Sequence, residues 1–397
     1  MKACLIILSL LFTISSSAQK MKQVNMKFLI EDNLHFATSQ YKLLASKVPA
    51  TLMPRTFNAT KGELVTSATD WWTSGFFPGT LWYLFESTGD TAMKAEAERR
   101  LAILEKEKFY TGNHDLGFMI YNSFGNAYRI TGKPEYKDVV LTAAATLSKR
   151  YRPNIQSIQS WNGATANDCL VIIDNMMNLE LLCWSSQNSN DKSFNDIALA
   201  HSYTTIKNQY RPDFSSWHVV EYDLKTATIK KKRTAQGAAD SSAWARGQVW
   251  GLYGYTMMYR MTGKKEFLEQ ARKVAGFLLN HPRLPSDKVP YWDFDAPGIP
   301  NALRDASSGS IMCSALLELG QYTKGKERKK YIETGKQLLV SLSSPAYKAK
   351  PGENGGFLLL HSVGSLPQKS EVDVPLTYAD YYFIEANMRY KKWYLSK

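Results

Sequence analysis

Two carboxylates stand in surroundings that set them apart from the other acidic residues. Asp174 lies in Val171-Ile172-Ile173-Asp174-Asn175-Met176-Met177-Asn178-Leu179, an apolar run that reads as an inner helix. Burial disfavours a charged carboxyl and raises its pKa, which suits a group that must hold a proton near neutral pH. Asn178 falls one helical turn further on the same face, placed to orient Asp174. Asp115 follows Asn113-His114 and precedes Leu116-Gly117-Phe118. Asn113 reads as an N-cap, so Asp115 enters the first helical turn, where the helix dipole favours its anion. One carboxyl pushed up and one held down is the division expected of an acid/base pair. Each also has a purely structural alternative, a core aspartate met by an arginine in one case and helix-start stabilisation in the other.

The densest polar segment runs from Thr234-Ala235-Gln236-Gly237 into Trp244-Ala245-Arg246-Gly247-Gln248-Val249-Trp250-Gly251. Arginine grips a carboxylate bidentately and tryptophan offers a stacking face for a sugar ring. Arg246 and Trp250 are four residues apart and therefore share a helix face. A second segment, Asp70-Trp71-Trp72-Thr73-Ser74-Gly75-Phe76-Phe77-Pro78-Gly79, opens another inner helix. His218, in Ser216-Trp217-His218-Val219-Val220, is a lone histidine of the kind usually satisfied in a loop or core. There is no Gly-x-Ser-x-Gly elbow, no phosphate loop and no His-rich cluster with metal spacing. The sequence thus calls for neither a metal nor an organic cofactor.

These residues need elements to hold them. A recurrent pattern supplies them: an apolar helix ending in an aromatic, a Gly-bearing turn, then an amphipathic helix. It occurs at Ala127-Tyr128-Arg129 with Thr131-Gly132-Lys133 and at Met258-Tyr259-Arg260 with Thr262-Gly263-Lys264. Copies follow Trp82 at Gly89-Asp90 and Tyr322 at Gly325-Lys326, with a weaker one after Trp184. Gly sits where a helix C-terminus needs a left-handed residue. The helices after the turns, such as 135–149 and 265–279, alternate apolar and charged residues at helical spacing and belong outside, whereas those before the turns belong inside. About six hairpins fit the chain. The pattern predicts an all-α fold, a closed ring of inner helices surrounded by outer ones, with an open solenoid as the alternative. Strand signals are few, chiefly 216–222 and 356–360, and read as short β-hairpins in loops.

The chain has 397 residues, 44% hydrophobic and 21% charged, which is ordinary globular material with no linker dividing it. Lys2, the apolar run 5–14 and Ser16-Ser17-Ala18 read as a signal peptide, residues 1–18, leaving 19–397 as one exported domain, periplasmic or secreted. No later segment approaches the ~20 apolar residues of a membrane span. Cys169, Cys183 and Cys313 remain after the leader. The first two share one predicted helix roughly 21 Å apart, too far for a disulfide. The 49 Lys and Arg against 36 Asp and Glu give a formal charge of +13, which loss of Lys2 lowers by one. That balance favours an anionic partner. No basic stripe or recognition motif points to nucleic acid, so acidic polysaccharide fits an exported basic protein better.

Taken in order, Trp72-Thr73-Ser74-Gly75-Phe76-Phe77-Pro78-Gly79, His114-Asp115-Leu116-Gly117-Phe118, the 172–179 run and Trp244–Gly251 resemble the unsaturated glucuronyl hydrolases, glycoside hydrolase family 88. The likeness continues through Asp305-Ala306-Ser307-Ser308 and Pro375-Leu376-Thr377-Tyr378-Ala379-Asp380-Tyr381-Tyr382 and so covers nearly the whole mature chain. It implies an (α/α)6 barrel acting after polysaccharide lyases. Such an enzyme hydrates the vinyl ether of a 4,5-unsaturated uronic acid, and the resulting hemiketal rearranges to release the next sugar. By the same resemblance Asp174 is the general acid/base and Asp115 the second carboxylate. Trp72, His114, Trp161, His218, Gln236, Arg246 and Trp250 bind the unsaturated uronate. Ser362, Ser365 and Lys369 match a loop that grips a sulfate in some relatives. The implied partner is an unsaturated acidic oligosaccharide, probed by a monomer or weak homodimer. The rhamnogalacturonyl hydrolases of the same fold, a conventional inverting glycosidase and a non-catalytic glycan binder are the alternatives.

Overall fold

The computed structural model describes residues 24–395, so the expected leader lies outside the described residues. Twelve α-helices are present among them: α1 (Met26–Lys47), α2 (Phe76–Thr88), α3 (Thr91–Leu104), α4 (Asn126–Thr131), α5 (Pro134–Ser148), α6 (Leu179–Asn188), α7 (Ser193–Gln209), α8 (Ala245–Thr262), α9 (Lys265–Asn280), α10 (Ala306–Tyr322), α11 (Gly325–Leu342) and α12 (Thr377–Tyr390). A π-helix, Gly117–Gly125, runs directly into α4, and the two form a single inner rod.

The inner rods are α2, 117–131, α6, α8, α10 and α12. Each neighbours the next, and α12 returns to pack on α2, where Phe76 meets Tyr381 edge-on with ring centroids 5.3 Å apart. That closure makes an α/α barrel and excludes the open solenoid. Burial follows the layer: residues 306–320 of α10 are all buried, whereas outer α9 buries only Phe267, Gln270, Ala271, Val274, Ala275 and Leu278, one stripe at helical spacing. The Thr-Gly-Lys turns end inner rods as expected, with Gly132 and Gly263 at φ 68° and 67°. At the other end of the ring the chain comes unusually close to itself. A Cβ on Gly75 would stand 2.2 Å from the Phe118 carbonyl, and one on Gly117 would stand 2.5 Å from Cα of Asn178. Only glycine lets these three site-bearing segments touch.

Ten short strands among the described residues decorate that end. β1 (Met53–Asn58) pairs with β2 (Glu63–Ser67), and β3 (Tyr151–Arg152) with β4 (Ser157–Ile158). β5 (Trp161–Asn162), β6 (Asp168–Ile172), β7 (Val219–Asp223) and β8 (Thr228–Arg233) form an antiparallel four-stranded sheet, and β9 (Ser362–Ser365) pairs with β10 (Ser370–Val374).

Three expectations are corrected here. Asp174 is not within an inner helix: the run enters as β6, turns through a 3-10 segment, Ile173–Asn178, and becomes helical only at Leu179. The β-branched Val171-Ile172-Ile173 favours the strand, with Ile172 opposite Val219. Consequently Cys169 and Cys183 do not share a helix, although all three cysteines are free and buried. Finally, 356–360 is not a strand. The Leu358 and Leu359 N–H groups donate to the Asp380 carboxylate at 3.0 and 3.1 Å instead of to a partner strand.

Candidate functional site

All six inner rods begin at the same mouth. Trp72 precedes α2, Asp115 precedes the π-helix, Asp174 precedes α6, Arg246 opens α8, Asp305 caps α10 and Tyr378 opens α12. Six helix N-termini aimed at one mouth create a region that favours anions. Within it lies a cavity of about 240 Å³, lined by Trp72, Trp161, Gln236, Arg246 and Ser365 together with Asp115 and Asp174. This is below the ~300–1,000 Å³ of sites for drug-sized molecules, a volume suited to one sugar ring.

Asp115 is 7% exposed, and its backbone N–H donates to Asn113 Oδ1 at 2.9 Å, the expected cap. Its pKa is nevertheless pushed up to about 8, first by burial and then by the charge of Asp174, with Arg150 and Asn178 pulling the other way. Asp174 is pushed up to about 6 by burial, against Arg246, its own backbone N–H and the Trp250 indole. The expected split, one carboxyl up and one down, is therefore replaced by two raised carboxyls. Burial and like charge outweigh the favourable helix start at Asp115. Because the charge of Asp174 acts on Asp115, the two carboxyls titrate as a coupled pair.

Behind the carboxylates stand His114, His218 and Trp250, all buried and outside the cavity lining. His218 Nδ1 accepts the backbone N–H of Ala235 at 3.2 Å and of Gln236 at 3.3 Å. The other ring nitrogen, Nε2, therefore carries the proton and faces Asp174 Oδ2 at 3.7 Å. Burial and nearby Arg246 hold the ring neutral, with its pKa lowered to about 3. His114 Nε2 lies 3.4 Å from Asp115 Oδ1, off hydrogen-bond alignment, and burial lowers its pKa to about 3 as well. Trp250 packs against Phe118 and Tyr382, and its indole N–H, which makes no formed hydrogen bond, favours the nearby Asp174 anion.

Two role expectations change with the geometry. Asn178 serves Asp115, not Asp174: its Oδ1 accepts the Phe118 N–H at 3.1 Å, and its side chain favours the Asp115 anion. The bidentate grip expected of Arg246 is largely occupied by the protein. Its Nη1 donates to the Val363 carbonyl at 2.5 Å, and its Nη2 to Gly364 at 2.6 Å and Gln236 Oε1 at 2.8 Å. Arg246 thus ties the β9 strand and the Gln236 loop to α8 and adds positive charge beside Asp174. Lys369 sits on the exposed β9–β10 turn and does not line the cavity, whereas Ser365 does, with a buried hydroxyl that has no protein partner.

Sequence reasoning missed Arg150, which is 6% exposed just after α5. It donates from Nε to the Gln159 carbonyl at 2.7 Å, from Nη1 to Thr111 at 2.5 Å and from Nη2 to Ser160 at 3.2 Å. One side chain thereby binds the loop that leads to Asp115 to the strand that carries Trp161. Glu371, also missed, lines the cavity and pairs with Arg55. A larger cavity, about 530 Å³, lies among the C-terminal halves of the inner rods. Its buried charges pair with one another, as in Arg260–Glu318 at 2.7 Å and Arg389–Glu318 at 2.9 Å.

No family model matches the chain. It is 43% identical over 350 residues, 88% of its length and 87% of the relative's, to an unsaturated glucuronyl hydrolase of Formosa agariphila. It is 33% identical to an unsaturated chondroitin disaccharide hydrolase of Streptococcus pyogenes, over 81% of this chain and 82% of that protein. The crystal structure of an unsaturated glucuronyl hydrolase specific for heparin superposes with a TM-score of 0.89 at 43% identity, covering 92% of this chain and 98% of the other.

Proposed function

The chain belongs to the unsaturated glucuronyl hydrolases, and from that premise we propose that Asp174 is its general acid/base and that glycosaminoglycan-derived disaccharides are its substrates. It is a glycoside hydrolase that removes the 4,5-unsaturated uronic acid from the non-reducing end of lyase products. The observation that carries the reading is the pair of buried carboxylates, both raised in pKa by that burial, lining one ring-sized cavity.

The double bond between C4 and C5 is conjugated to the ring oxygen, so protonation at C4 leaves the positive charge shared by C5 and that oxygen. Asp174 gives the proton to C4. As a carboxylate it then takes a proton from the water that bonds to C5. The hemiketal formed opens to a C5 ketone, the ring oxygen becomes a hydroxyl on C1, and C1 sheds the next sugar as its alcohol. One water is consumed in all. In the free enzyme Asp174 has the lower pKa of the pair, but the uronate carboxylate brings a negative charge into the cavity and raises it, which favours the acid form when substrate is bound. Asp115, with Asp174, balances the positive charge at C5 in the transition state. His218 and Trp250 present N–H groups toward Asp174 and stabilise the carboxylate that protonation of C4 creates. Trp72 and Trp161 flank the ring.

The charged start and apolar run of residues 2–14 support export, and the closed ring supports one catalytic domain over 19–397. The test is loss of the near-ultraviolet absorbance of the conjugated double bond on lyase-digested chondroitin, hyaluronan, heparin and pectic fragments. Loss on a glycosaminoglycan disaccharide is expected. Loss on pectic fragments alone would replace this substrate class by rhamnogalacturonan.

A further inference from the structure

The catalytic mouth lies where the inner rods begin, and the opposite end of the ring has a hollow of its own. A groove of about 580 Å³ runs between α9 and the first turn of α11. Tyr259, in the last turn of α8, and Leu268 supply apolar lining, and Lys265, Arg272 and Lys273 supply positive charge. Both carboxylates of the groove are paired: Glu327 accepts from Arg272 Nε at 2.8 Å and from the Tyr331 hydroxyl at 2.7 Å, and Glu269 meets Lys273 at 2.8 Å. Beside it α11 opens with Lys324-Gly325-Lys326-Glu327-Arg328-Lys329-Lys330, five cations in seven residues. Lys330 bonds Asn280 Oδ1 at 2.7 Å, and Lys324, Lys326, Arg328 and Lys329 meet no carboxylate among the described residues. Tyr394 Oη donates to the Leu317 carbonyl at 2.7 Å and holds the Lys391–Leu395 segment against the end of α10, which adds exposed Lys392 to the same end of the ring.

Within the sequence the 324–330 run reads as one more turn and outer-helix start, and only the fold sets the groove and Lys392 beside it. The groove has more than twice the volume of the catalytic cavity, about 580 against 240 Å³, room for two or more sugar rings instead of one. A basic run of this kind attracts a polyanion, since each exposed cation adds a modest attraction along an extended chain. The apolar lining offers the faces of sugar rings a surface, in a concave groove that a flat membrane would not enter. We infer that the α9–α11 groove and its basic rim form a second, non-catalytic binding site for an uncut acidic polysaccharide, which holds the enzyme to the polymer. The site itself stands apart from the functional reading above; that the polymer is the parent of the substrate rests on it.

The probe is intact chondroitin sulfate, which lacks the unsaturated end and is not turned over. Its binding is followed by titration calorimetry at about 50 and 150 mM salt, and the wild-type protein is expected to bind, more weakly at the higher salt. A quadruple variant, Lys265→Gln, Lys326→Gln, Arg328→Gln and Lys329→Gln, is expected to lose about tenfold or more in affinity, with thermal stability and disaccharide turnover unchanged. A control with the same net charge, Lys47→Gln, Lys61→Gln, Lys149→Gln and Lys207→Gln, should lose less than about threefold. If the quadruple variant is unstable, Lys326→Gln with Lys329→Gln makes the same comparison, with a loss of about threefold expected. No binding by the wild-type protein, an affinity within about twofold of wild type in the stable quadruple variant, or an equal loss in the control overturns the inference. So does binding of phosphatidylglycerol vesicles that the variant loses while chondroitin sulfate binds neither protein, which would assign the rim to a membrane. Disaccharide turnover is read on the same samples, so failure of the hydrolase reading shows there and not in the binding.

Discussion

Replacing Asp115 by Asn should stabilise this protein, and by an amount that grows with pH. The pKa of Asp115 rises from an ordinary 3.8 to about 8 on folding, chiefly through burial. A carboxyl whose folded pKa is raised carries no penalty below its unfolded value. The penalty grows as pH rises toward the folded value and is complete above it. Between 3.8 and about 8 lie roughly four pH units at 1.36 kcal/mol each, an upper bound of about 5 kcal/mol above pH 8. Water entering the cavity and coupling to Asp174 reduce this, so about 2–3 kcal/mol is a reasonable expectation. Asparagine is nearly isosteric and keeps the backbone bond to Asn113 Oδ1. The assay is thermal unfolding of wild type and Asp115→Asn at about pH 4, 6 and 8.5. The midpoint difference should be near zero at the lowest pH and reach a few degrees in favour of the variant at the highest. A variant less stable than wild type at pH 8.5, or an equal difference at all three, would refute the claim that this carboxyl is buried at the expense of stability.

Further expectations follow from the same geometry. kcat/KM should trace a bell with limbs near pH 6 and pH 8, because below the first the pair has no base and above the second it has no acid; a flat profile between pH 5 and 9 would count against the two raised carboxyls. Arg150→Met removes the cation that favours the Asp115 anion, so the alkaline limb should move upward, and the freed carbonyls of Thr111, Gln159 and Ser160 should lower stability by about 3 kcal/mol, which Arg150→Lys should partly restore. Trp250→Phe keeps the packing on Phe118 and Tyr382 but loses the indole N–H that favours the Asp174 anion, so the acid limb should move upward; an unmoved limb would show that the indole does not act on Asp174.

What the sequence disclosed was local. The Thr-Gly-Lys turns could be read because a left-handed glycine and a change from apolar to amphipathic helix are near-neighbour signals, and they sufficed for the ring of hairpins. Asp174 and Asp115 could be singled out because an acid within an apolar run, or after an N-cap, is visible along the chain. The conformation around Asp174 was not, since an apolar β-branched run fits a strand and a buried helix equally until its partner β7, some 50 residues on, is known. The direction of the Asp115 shift depended first on its burial in the folded ring and then on the charge of Asp174, neither visible from its own segment. Arg150 and Glu371 are unremarkable in their own segments, and only their partners, three carbonyls in one case and Arg55 in the other, give them meaning.

The central claim is that Asp174 protonates C4 of an unsaturated uronate. The most direct measurement is the absorbance of the conjugated double bond, with parallel detection of the released sugar, for wild type and Asp174→Asn of equal thermal stability. The account predicts that absorbance falls as sugar appears with the wild-type protein, and that both slow by about a thousandfold or more in the variant. Wild-type rates in Asp174→Asn would contradict the assignment. Sugar released while the absorbance persists would contradict the hydration chemistry itself, since the glycosidic bond would then be cut with the double bond intact.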